Sequence, residues 1–109
     1  MSEKRQVQRF IVKLPVTVSA GGKSISGDTV RISRKGLFVR TQQSFVTGVP
    51  VDIEITLTDM TSCKLKGIIK HARNYGHFLP RLNGMGIQFT ETDPGYEAFI
   101  TAIERERGF

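Results

Sequence analysis

Arginine supplies most of the chemistry available to this sequence. Arg5 and Arg9 stand with three residues between them in Lys4-Arg5-Gln6-Val7-Gln8-Arg9, at the start of an alternating segment. A second basic cluster, Arg31-Ile32-Ser33-Arg34-Lys35-Gly36, interrupts a later segment of the same kind. A guanidinium forms bidentate hydrogen bonds to a phosphate or to the O6/N7 edge of guanine, and it stacks on a base face. The two clusters are equipped to grip a guanine nucleotide between them; the alternative is that both are solvated charges near strand ends.

Other side chains do not assemble into a catalytic pattern. His71 and His77 are the only histidines, and they form neither an i, i+4 pair nor an HExxH motif. Cys63 lies in an alternating strand with Lys64 as its one basic neighbour, the setting of a structural rather than a nucleophilic thiol. As the sole cysteine it excludes an intrachain disulfide and a cysteine-based metal cluster. The carboxylates Asp28, Asp52, Glu54, Asp59, Glu91 and Asp93 are scattered, and no pair stands out as acid and base. The glycines do not form a phosphate loop opening a helix. The expectation is a binding protein that is not an enzyme and carries no metal or cofactor.

The elements that must position the arginines are mostly strands. Phe10, Val12, Leu14, Val16 and Val18 alternate with Ile11, Lys13, Pro15 and Thr17, the period-two pattern of a half-buried first strand. Pro15 lacks a ladder donor, so this strand runs along an edge or carries a bulge. Ala20-Gly21-Gly22-Lys23 reads as a tight hairpin turn. A second strand covers 25–32, and Ser33-Arg34-Lys35-Gly36 turns it into a third at 37–40. Val49, Val51, Ile53, Ile55 and Leu57 alternate inward in a fourth. Asp59-Met60-Thr61-Ser62 is turn-like, a fifth strand covers 63–73, and a sixth covers 84–89. Residues 74–83 form a loop between the last two.

The period then changes. Asp93 suits an N-cap and Pro94 the first helical position, and Tyr96, Phe99, Ile100 and Ile103 share one helix face. Arg105 and Arg107 complement the negative end of the helix dipole, and Gly108 closes it. Six short strands and one helix predict a mostly β protein, a six-stranded antiparallel β-barrel with a C-terminal helix over one opening. Residues 1–9 read as a flexible arm and 10–109 as the barrel with its helix.

Composition narrows the partners. The 109 residues hold 39% apolar and 24% charged side chains, an ordinary globular balance. The net charge of +6 points to an anionic partner. No apolar run approaches the roughly 20 residues of a membrane span, and the first residues lack the apolar core of a signal peptide. A cytoplasmic location is therefore expected. Non-specific nucleic-acid binding fits the charge but lacks exposed aromatic platforms for stacking.

Three motifs together resemble the PilZ domain family: Arg5-Gln6-Val7-Gln8-Arg9 as RxxxR, Ser33-Arg34-Lys35-Gly36 as the SxxG part of [D/N]xSxxG, and Gly84-Met85-Gly86-Ile87-Gln88-Phe89 as a GxGxxF-like last strand. The resemblance implies a six-stranded barrel that binds cyclic di-GMP, with the arm folding over the ligand and the signal passed to a partner protein. It implies ligand-binding roles for Lys4, Arg5, Arg9, Arg31, Ser33, Arg34 and Gly36. Lys4, just before RxxxR, is the position expected to influence whether one or two ligand molecules enter. Ser33 either donates to a phosphate or holds the turn, and Gly36 allows close backbone approach or a positive φ.

One position departs from the family. Arg31 stands where the pattern has Asp or Asn, and arginine has no acceptor for the guanine donors. Either Arg31 contacts a guanine directly or the domain is a degenerate member that serves as a protein-interaction module. Asp28 lies on the opposite face of a regular strand and could substitute only through a bulge.

Overall fold

The computed structural model describes residues 8–77, 79 and 82–106. Seven strands precede one helix: β1 (Arg9–Ile11), β2 (Pro15–Ala20), β3 (Lys23–Ser33), β4 (Gly36–Arg40), β5 (Pro50–Thr56), β6 (Ser62–Arg73), β7 (Gly84–Glu91) and α1 (Pro94–Glu106). All pairings are antiparallel, in the order β1-β3-β2-β5-β6-β7-β4, and β4 pairs back onto β3. That last pairing closes β2 to β7 into a six-stranded barrel, with β1 as an added strand.

The expected first strand is therefore two. Phe10 pairs with Ile32 and Pro15 with Asp28, so five steps along this chain meet four along β3. The extra residue makes a bulge just before Pro15, which has no donor to offer a ladder. Thr29 repairs the gap. Its hydroxyl donates to the Val12 carbonyl at 2.6 Å and accepts from the Leu14 amide at 2.8 Å. Its own amide donates to the Leu14 carbonyl at 2.9 Å.

Three further slips re-aim side chains, one of them between Lys66 and Gly67, where β7 gains a residue on β6. Between Thr29 and Arg31, β3 gains a residue on β4; between Ile69 and His71, β6 gains one on β7. Because side-chain direction alternates with period two, each slip turns every later residue to the other face. Thr29 and Ile32 both point into the core, so Asp28 and Arg31 share the outer face.

The barrel interior collects the alternating residues of every strand. Val16, Val18, Ile25, Val39, Ile53, Ile55, Ile69, Met85 and Ile87 are buried there, as are Tyr96 and Ile100 from α1. Gly21 and Gly22 both take positive φ in the β2–β3 turn, the conformation a two-residue hairpin demands. Asp93 caps α1, accepting from the amides of Gly95 at 2.8 Å and Tyr96 at 3.3 Å. No helix among the described residues is long and apolar enough to cross a membrane.

A cationic groove on the outer barrel face

One row of residues crosses four strands on the outside of the barrel. Arg31 of β3 lies opposite Phe38 of β4, Phe38 opposite Gly86 of β7, and Gly86 opposite His71 of β6. Directly opposed residues point to the same face. Gly86 carries no side chain, so the row has a gap at its centre. A Cβ there would sit 3.1 Å from the His71 ring, and one at Gly84 would sit 2.8 Å from the Phe38 ring. The two glycines of β7 thus let both rings lie against the backbone.

Around this row runs a groove of about 640 Å³, lined by Arg9, Arg31, Ser33, Lys35, Gly36, Phe38, Lys70, His71, Arg73 and Gln88 together with adjoining backbone. Five of its described lining residues are cationic and none of those described is a carboxylate. Among the described residues, none of these five makes an ion pair. The guanidinium carbons of Arg31 and Arg73 lie 5.9 and 5.4 Å from the centre of the Phe38 ring, within cation–π range. Unneutralised cations beside an aromatic face suit a ligand with phosphates and bases.

The turn that follows β3 is rigidly built. Ser33 Oγ accepts from the amides of Lys35 at 3.2 Å and Gly36 at 3.1 Å. It also lies 3.1 Å from the Gly36 carbonyl, to which it donates. The serine is buried, so its hydroxyl holds the turn. Gly36 is needed for close approach between strands: a Cβ there would collide with the Ile87 carbonyl oxygen of β7.

Arg34 leaves the groove altogether. Its guanidinium reaches α1, donating to Glu97 at 2.7 Å, Glu104 at 2.8 Å and Thr101 at 3.1 Å. The Glu104 contact leads in holding its pKa above the ordinary arginine value, with Glu97 adding to it. Arg9, Arg31, Ser33 and Gly36 are brought together at the groove; Lys4 and Arg5 lie outside the described residues. Asp28 shares the outer face with Arg31 yet does not line the groove.

Phe38, Lys70, His71 and Arg73 were not among the expected site residues. Their only signal was Gly84 and Gly86, since a glycine inside a strand marks a close approach. Strict alternation separates Lys70 from His71, and only the bulge puts both at the groove. No cluster of three or more His, Cys, Asp or Glu that could hold a metal occurs among the described residues. Burial, then the Asp93 carboxylate, pushes the Cys63 thiol up to about 11.

Comparison with known proteins agrees with this architecture. The PilZ domain family model matches residues 3–105. Among solved structures, the Bacillus subtilis Inhibitor of motility (MotI/DgrA) superposes with a TM-score of 0.76 at 19% identity, over 96% of this chain and 52% of that one. At that identity the likeness is one of fold, and the chain spans about half the length of that protein. A search of curated proteins gave no match.

Proposed function

The chain belongs to the PilZ domain family, and from that premise we propose that it is a cyclic di-GMP receptor that relays the signal to a partner protein without catalysing a reaction. The observation that carries this reading is the convergence of Arg9, Arg31, Lys35, Lys70 and Arg73 on one groove with no carboxylate among its described lining residues. Cyclic di-GMP presents two phosphates and two guanines. Arg9, together with Arg5 from the arm, bridges phosphate oxygens and reads guanine edges. Ser33 and Gly36 act by fixing the turn and the strand approach that shape the groove. Arg31 contacts a guanine in place of the acceptor usual in the family, and Lys4 influences how many ligand molecules enter. The chain acts inside the cell, where a cyclic dinucleotide is made and read.

A calorimetric titration with cyclic di-GMP tests the reading. Saturable binding that is stronger than binding of cyclic di-AMP is the expected result. An unchanged ligand ratio and affinity in Lys4→Ala would remove that residue from the site. A second reading, a protein-interaction module without ligand, is favoured by Arg31 alone. The fold neighbour is named for inhibition of motility, which under either reading favours a motility component as the partner. Absence of cyclic di-GMP binding by the folded wild-type chain would leave the second reading standing.

A further inference from the structure

We infer that Phe38 and Arg73, residues of neither the arginine motif nor the serine–glycine motif, form a purine-stacking platform that carries one base of the bound nucleotide. The inference rests on the proposed nucleotide site and extends it across β4, β7 and β6.

Three observations lead there. Phe38 is half-buried on the outer face and lines the groove. This outward ring is only partly buried and is not part of the barrel core, so some of its surface is open to a flat ligand. The ring also lies against the β7 backbone at Gly84 and opposite Gly86, so neither of those β7 positions projects a side chain into the groove beside it. Finally, Arg31 and Arg73 each hold a guanidinium within 6 Å of the ring centre, and among the described residues neither is drawn away by a carboxylate. A guanidinium beside an aromatic ring provides two planar surfaces and N–H donors directed at the edge of a stacked base.

This geometry also accounts for Arg31. Where the family pattern supplies an acceptor for guanine N1 and N2, this chain supplies a donor opposite Phe38. The donor matches O6 and N7 on the other edge of guanine. A base stacked on Phe38 with its O6/N7 edge toward the arginines makes the missing carboxylate unnecessary.

The test follows the assigned ring protons of Phe38 by NMR while cyclic di-GMP, and separately guanosine 5′-monophosphate, is added to the wild-type chain; calorimetry is run in parallel on Phe38→Leu and Arg73→Ala. A stacked purine moves the ring protons upfield, and each substitution is expected to weaken cyclic di-GMP binding about tenfold, within the range for loss of one base–aromatic stack. Phe38→Leu keeps an apolar side chain, so thermal unfolding of the variant separates a folding defect from a binding defect. If cyclic di-GMP binds while the Phe38 protons stay still and both variants bind like wild type, the platform is overturned and the proposed receptor function survives. If cyclic di-GMP fails to bind but the monophosphate moves the Phe38 protons, the receptor reading falls and the platform stands. If neither probe moves them, the platform is wrong.

Discussion

The hydroxyl of Tyr96 donates a 2.7 Å hydrogen bond to the backbone carbonyl oxygen of Ser33. A fully buried helix residue is thereby fastened to the turn that shapes the groove. Burial pushes the phenol pKa well above its ordinary value, so the hydroxyl stays a donor throughout the neutral range. Tyr96 also packs edge-on against Phe89 of β7, with ring centres 5.2 Å apart.

Replacing Tyr96 with Phe keeps the packing and removes the donor. The loss of one buried hydrogen bond is expected to destabilise the fold by about 1–2 kcal/mol, a drop in Tm of roughly 5–15 °C for a domain of this size. Thermal unfolding measures it. An unchanged Tm would mean that the Ser33 carbonyl is satisfied equally well without the helix.

Arg34 and Arg9 should separate cleanly in a binding assay. Arg34 is held by Glu97, Glu104 and Thr101, so Arg34→Ala should change cyclic di-GMP affinity less than about threefold, or under about 0.7 kcal/mol. It should lower stability only slightly, because partly exposed ion pairs contribute at most about 1 kcal/mol each. Arg9→Ala should weaken binding more than tenfold, about 1.4 kcal/mol or more, with the fold intact. Equal losses in the two variants would contradict the division of labour between groove and helix.

Arg31→Asn restores an acceptor of the family type and removes the guanidinium beside Phe38. Weaker binding than wild type is expected, because the arginine is adapted to the groove it lines. Calorimetry at one ionic strength is required, since cation–phosphate attraction is screened by salt. Tighter binding by the variant would show Arg31 to be a passive departure.

Cys63 predicts an alkaline limit. Its thiol is pushed from 9.0 up to about 11, chiefly by burial. Well below pH 9 the thiol is protonated in both folded and unfolded chains and contributes no pH dependence. Between pH 9 and 11 the unfolded chain ionises first, so stability falls as pH rises, by at most about 1.4 kcal/mol per pH unit from this group. Tyr96 adds a loss of the same sign at higher pH. Denaturant titrations of Cys63→Ala should show a shallower decline from pH 9 to 11. In the wild type, a thiol reagent at pH 8 should react only as the protein unfolds.

Much of the barrel could be read directly from local pattern. Inward alternation at Val51, Ile53 and Ile55, the Gly21-Gly22 hairpin and the Asp93-Pro94 helix start are all present, because each depends on neighbours within a turn or a strand. The arginine clusters were equally visible as residue types. What the local pattern could not carry was facing. A single inserted residue reverses every side chain beyond it, and the bulges before Pro15, at Val30, at Lys70 and at Thr90 leave no periodic mark.

Tertiary structure alone decided which of the basic residues meet. Arg34 and Lys35 are adjacent in sequence, yet Lys35 lines the groove while Arg34 is drawn to carboxylates 63 and 70 residues away. Phe38, His71 and Gly86 form one row only because β4, β7 and β6 are neighbours in the closed barrel. The sequence by itself determined that two arginine-bearing segments ride on a β scaffold, since charge and alternation are properties of the chain. Closure of the barrel and the register of its strands determined the groove, since contacts between distant segments depend on the packing of the whole core.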